Sequence, residues 1–166
     1  MMLDKIGIKF KEFKNFLYEA KTNCYGERVK ERKGKNFNCM SFKKDKLLYL
    51  VVYSKLSYIP TREIVIVKPE NLKIWHSGFS WEREKSFSSG IFLKDILSYK
   101  MSKSFPLRGS GKLDKENKIY SSRIIDGPRT YSSKIKGDIS DFFGNERICE
   151  KGSLTLSGDF HGGFLG

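Results

Sequence analysis

Between Asp4 and about Asn23 the apolar residues Ile6, Phe10, Phe13, Leu17 and Ala20 recur at helical spacing, with Lys5, Lys9, Glu12, Lys14, Glu19 and Lys21 largely on the other faces. That period predicts one amphipathic helix, capped by Asp4, that turns a phenylalanine stripe toward the core. The pattern then changes. Lys46–Ser54 and Thr61–Lys68 are β-branched and aromatic runs, and 71–77 alternates Leu72, Ile74 and His76 against Lys73 and Trp75. Three such strands with short connections predict an antiparallel meander. Gly78–Ser89 is polar and aromatic and reads as an exposed loop, and Ile91, Phe92, Ile96, Leu97 and Tyr99 suggest a second short helix. The segment 104–115 reads as another loop. Strands at 118–125 and 130–136 flank the turn signal Asp126-Gly127-Pro128, and 142–150 and 153–160 form a hairpin around Lys151-Gly152. The expected fold is therefore α+β, with a curved, mainly antiparallel sheet, an N-terminal helix and a second short helix.

Length and composition fit that picture. At 166 residues, with 39% hydrophobic and 14% aromatic content, the chain is expected to form a single domain over residues 1–166. The N-terminus does not read as a signal peptide, and the longest apolar runs are too short to span a bilayer. Cys24, Cys39 and Cys149 are odd in number, far apart and without a Cys-x-x-Cys pair. They argue against a zinc site or a disulfide framework and for a reducing compartment, so a cytoplasmic location is expected, with no cofactor and no membrane partner.

Charge changes the picture more. Thirty-two Lys and Arg against 19 Asp and Glu give a net charge of +13 and a pI near 9.6. Such a balance favours anionic partners, from nucleotides to nucleic acid. The densest basic stretch lies at about 26–38, a glycine-bearing segment read as a mobile loop. Its Arg28, Lys30, Arg32, Lys33 and Lys35 would track phosphates in a nucleic-acid-binding reading.

Two local motifs suggest chemistry. Arg108-Gly109-Ser110-Gly111-Lys112 is a basic glycine loop, but Leu113 stands where a phosphate-binding P-loop needs a hydroxyl residue, so it suits an anion contact and not an NTPase. His161-Gly162-Gly163 has the form of an esterase oxyanion element, yet the chain contains no Gly-x-Ser-x-Gly elbow to supply a nucleophile. Read as a turn at the end of a hairpin, it would offer an imidazole and two backbone donors to an anion. Glu146, at the start of the same hairpin, faces a pocket or pairs at the surface. Trp75 and Trp81 are the candidate stacking faces.

The run Phe13-Lys14-Asn15-Phe16-Leu17-Tyr18-Glu19-Ala20-Lys21 with Tyr25 belongs to a longer pattern. It continues through a strand at Tyr49–Tyr53, Trp75, Phe92-Leu93-Lys94 and Pro106-Leu107-Arg108-Gly109, and ends with Phe143-Gly144, Glu146, Ile148, Gly152 and His161-Gly162-Gly163. This resembles an uncharacterised domain family of bacteria and their phages, found in some transcription regulators behind a helix-turn-helix module that this sequence lacks. The resemblance implies a sensor or ligand-binding role and a pocket near the shared motifs. It departs from the family at Thr61-Arg62-Glu63, where a Gly-Glu element is expected, and in the basic stretch around Arg28–Lys35.

Together these readings lead to a non-enzymatic binding domain for a small phosphate-bearing, nucleotide-like ligand, such as a phage sponge for a host signalling nucleotide. The expected contacts are Arg108, Lys112, His161, Gly162, Gly163, Trp75, Trp81 and Glu146. The alternatives are a basic nucleic-acid or protein interaction module, and an enzyme acting on nucleotide or sugar-phosphate substrates. Homo-oligomerisation is left open.

Overall fold

The computed structural model describes residues 2–26, 29–54, 60–83 and 112–166. Helices α1 (Met2–Lys5) and α2 (Phe10–Tyr25) are followed by ten strands: β1 (Arg32–Lys33), β2 (Phe37–Lys44), β3 (Leu47–Ser54), β4 (Pro60–Val67), β5 (Leu72–Arg83), β6 (Lys112–Asp114), β7 (Ile119–Asp126), β8 (Arg129–Asp138), β9 (Asp141–Glu150) and β10 (Ser153–Phe164). All ten form one open sheet in the order β1-β2-β3-β4-β5-β10-β9-β8-β7-β6, and every pairing is antiparallel. Two five-strand meanders thus meet along their longest strands, β5 and β10, at the centre. The sheet dominates so far that α+β describes the fold only loosely.

Several elements differ from expectation for local reasons. The single predicted helix is two, because Gly7 adopts a left-handed conformation at φ +65° and turns the chain between them. Asp4 lies within α1, and the first turn of α2 is closed by the Glu12 carboxylate accepting from the Lys9 backbone N–H at 3.1 Å. The segment expected to be a basic loop carries a short edge hairpin: Arg32 and Lys33 pair with Cys39 and Asn38 of β2. Gly78–Arg83, read as loop, continues β5, and Lys112–Asp114, also read as loop, is the edge strand β6. The predicted helix at Ile91–Tyr99 lies outside the described residues.

α2 packs against β2 and β3 and defines the inner face of the sheet. Phe13, Phe16, Leu17 and Ala20 meet Met40, Tyr49, Val51, Val65 and Trp75 there in one core cluster that continues to Ile135, Phe142 and Phe160 of the second meander. Burial of side chains such as Phe13 and Leu17 contributes about 1.5–3 kcal/mol each. Strand alternation sends the other half of each strand to the outer face, where charged and polar residues dominate β7–β9. No helix among the described residues is long and apolar enough to cross a membrane.

Candidate functional site

His161-Gly162-Gly163 is not a turn. It lies inside β10, opposite Gly78, Ser77 and His76 of β5 on one side and Phe143, Phe142 and Asp141 of β9 on the other. In a strand flanked on both sides, backbone N–H groups belong to the ladder, so Gly162 and Gly163 are not aimed at a ligand. Their glycine identity has a packing cause instead. A β-carbon on Gly162 would stand 2.2 Å from the His76 carbonyl oxygen, and one on Gly163 would stand 2.1 Å from that of Ser140.

His161 itself points to the exposed outer face. Its ring lies edge-on to that of His76, with centroids 6.1 Å apart. It also sits beside Gly78, whose missing side chain leaves a notch between His161 and Arg62, the Cα partners of Gly78 on either side. Burial, then the neighbouring charges of His161, Arg62 and Lys73, push the His76 imidazole below its ordinary value. Each cause disfavours a proton on His76, so the folded protein holds it neutral at pH values where a free imidazole is half charged. Stability tied to this group is present above the ordinary histidine pKa and falls as pH drops toward the folded value. An NMR titration is expected to place the His76 midpoint below 6.5, and Arg62→Ala is expected to move it back up. A midpoint at or above 6.5 would contradict this arrangement.

A wider basic groove opens on the same face of the second meander. Lys112, Ser121, Ser122, Arg123, Ser132, Ser133, Lys134, Asn145 and Arg147 line a space of about 540 Å³. Register explains the gathering: Lys112 pairs with Ser121, Ser121 with Lys134 and Lys134 with Asn145 in one cross-strand row, and Arg123, Ser132 and Arg147 form the next. The four cations are exposed, no carboxylate lines the groove, and among the described residues none of the four is in an ion pair. Hydroxyl and amide side chains between fixed positive charges are what an anionic oxygen cluster binds.

The remaining predicted residues go elsewhere. Trp75 is fully buried on the inner face, donating its Nε1–H to the Ile139 carbonyl at 2.9 Å, and offers no stacking surface. Glu146 is fully buried on the inner side of β9 and does not join the groove. Trp81 occupies β5 opposite Gly158, itself the partner of Glu146. Arg108 and Arg28 lie outside the described residues. Lys30, Lys33 and Lys35 are exposed near the β1 edge, remote from the groove in strand order. Of the predicted contacts, His161 and Lys112 share the outer face but stand four strands apart; the groove joins Lys112 with Arg123, Lys134 and Arg147, none of which is a predicted contact. Their signal was present as parity: in Ser132–Lys136 and Asn145–Arg147 the cations share one alternation and the buried residues the other.

Beneath α2 lies a polar centre of another kind. The Glu63 carboxylate accepts from Lys21 Nζ at 2.7 Å, from the Tyr49 hydroxyl at 2.8 Å and from the Tyr25 hydroxyl. The Lys21 ammonium also sits over the Trp75 ring, 5.4 Å from its centroid. Burial, then the Glu63 charge, pushes the Cys24 thiol up to about 12, and the same two causes lead in raising Tyr49 well above its ordinary value. These groups are sealed from solvent and serve packing. A second cavity of about 390 Å³, between α2 and the β2–β3 turn, mixes Glu12, Glu19 and Asp45 with Lys44 and Lys46, and Lys44 is already paired with Glu19 at 2.7 Å. It has no surplus positive charge to offer an anion. Among the described residues no group of three or more His, Cys, Asp or Glu is placed to hold a metal ion.

Comparison with protein-family models, curated proteins and solved structures finds no significant match to this chain.

Proposed function

We propose that this protein is a non-enzymatic binding domain for a phosphate-bearing, nucleotide-like ligand, held on the outer face of β6–β9. The observation that carries this reading is the groove of four cations, Lys112, Arg123, Lys134 and Arg147, without ion pairs among the described residues and interleaved with Ser121, Ser132 and Asn145. Its volume falls within the ordinary range for small-ligand sites. The lining is polar and open, which suits a phosphate group better than an apolar body. Surface cations of this kind bind by charge, so the affinity depends on salt. A binder of this type acts by sequestering its ligand.

Calorimetry against a panel of mono- and dinucleotides at 50 and 200 mM salt is the test. Binding tighter than millimolar is expected, weakening at the higher salt, and Lys134→Ala with Arg147→Ala is expected to weaken it by about 100-fold, on the order of 1.5 kcal/mol for each charge-assisted contact. Both residues are exposed, so melting behaviour should stay near wild type. No binding tighter than millimolar, or binding indifferent to the double substitution, would defeat the proposal.

A further inference from the structure

One cross-strand row on the outer face runs far beyond the groove. Following Cα partners from β1 to β8, it reads Arg32, Cys39, Val52, Arg62, Gly78, His161, Phe143 and Lys136. The row contains no carboxylate. At about 4.8 Å per strand it spans roughly 34 Å, with cations at Arg32, Arg62 and Lys136. Phe143 is the unusual member. It stands mid-strand, 61% exposed, on a face that turns its neighbours Asn145 and Arg147 outward as well. Its Cα partners are His161 and Lys136. An exposed ring flanked by an imidazole and an ammonium on an open sheet presents a π-face to a base and positive charge to the phosphates on either side. The basic groove adjoins it directly, because Lys134 and Asn145 lie one outward-facing position along from Lys136 and Phe143.

We infer that the ligand of this face is a single-stranded nucleic acid, laid across the strands with its phosphates on the cations of the row and the groove and a base stacked on Phe143. This rests on the proposed anion-binding role and extends it, since a mononucleotide reaches the groove alone. Asp159 and Asp141, exposed on the same face, flank His161 and Phe143 on either side of the row. Stacking on a ring tolerates any base, so length and not sequence sets the affinity.

The test is fluorescence anisotropy with labelled oligothymidylate and oligouridylate of increasing length, at 50 and 200 mM salt, beside mononucleotide calorimetry. Affinity is expected to rise with length until the strand spans the row. It is expected to fall with salt along a slope that Arg62→Ala reduces by about one contact's worth, roughly 0.7. Phe143→Ala is expected to weaken the oligonucleotides by about 5- to 150-fold while leaving mononucleotide binding unchanged, and Phe143→Tyr to retain affinity. The deoxy and ribo arms identify which strand chemistry is taken, and binding by either supports the inference. Oligonucleotides that bind no tighter than a mononucleotide overturn the inference and leave the anion site standing, whereas binding by neither removes both. Phe143→Ala without effect overturns it, as does a polyglutamate peptide of matched charge binding as tightly as the oligonucleotide.

Discussion

Glu63→Ala is expected to destabilise the fold by about 3–5 kcal/mol, the range for removing one partner of a buried ion pair. Glu63 and Lys21 are each about 1% exposed, and their 2.7 Å contact joins α2 to the centre of the sheet. Alanine would leave the Lys21 ammonium over the Trp75 ring without the carboxylate that neutralises it, and the Tyr25 and Tyr49 hydroxyls without their acceptor. Lys21 then loses its proton or draws α2 off the core, and either is costly. Glu63→Gln keeps the shape and one acceptor, so it should fall between wild type and alanine. The double substitution Lys21→Met with Glu63→Leu separates charge from packing. A buried pair replaced by apolar residues of similar size is often neutral or stabilising, and the two phenols lose the same acceptor in both variants, so the double variant should be the more stable of the two. Urea midpoints of the four proteins give the comparison. A double variant no more stable than Glu63→Ala would mean that the site holds by fit and not by charge.

That centre was half legible in the sequence. Lys21 and Tyr25 stand out at the end of the helical motif, and Glu63 stands at the departure Thr61-Arg62-Glu63, but nothing in the spacing says that residues 38 and 42 positions apart touch. Strand existence was easier to read than strand partners. β3, β4, β7, β8, β9 and β10 announced themselves through β-branched runs, alternation and turn residues such as Gly127 and Gly152, both at positive φ. β2 was missed because Phe37–Lys44 contains no Val, Ile or Thr to mark it. β6 was missed because three exposed residues carry no hydrophobic signal, and its strand character comes from pairing with β7. The join of β5 to β10 is invisible locally, since it depends on which edges two meanders leave free. The candidate face depends on that join: His161 meets His76 and faces Arg62 across Gly78 only because β10 lies next to β5, and Phe143 pairs with Lys136 only through the register of β9 on β8.

The charge of +13 also takes on a direction in the fold. The sequence places its densest run near Arg28–Lys35, yet the groove draws its cations from four separate strands, one residue from each. Strand alternation explains this. A run of adjacent lysines on a strand divides between two faces, whereas single cations two residues apart, or opposite each other in register, share one.

Gly162→Ala is expected to cost on the order of 4 kcal/mol or more, enough to unfold a domain of ordinary stability. The added methyl would stand 2.2 Å from the His76 carbonyl oxygen, 2.6 Å from the Phe142 ring and 2.9 Å from the Ser77 Cα. Two of these are backbone atoms of β5, the strand that joins the two meanders through β10, so relief requires the central pairing itself to part. Gly78→Ala on the opposite side of the same pairing is the matched control: its methyl meets only the His161 ring, at 3.4 Å, an ordinary contact. Stability should therefore change little, while the notch beside Arg62 fills and oligonucleotide binding along the row weakens. His161→Ala, exposed on the outer face, should likewise shift stability by no more than about 0.5 kcal/mol and reduce oligonucleotide binding. Thermal melts and binding measured on the three variants together divide the His-Gly-Gly motif into its parts: an imidazole that works at the surface, and glycines whose absence of side chain lets the two halves of the sheet meet. Wild-type melting for Gly162→Ala would mean that β10 does not lie between β5 and β9.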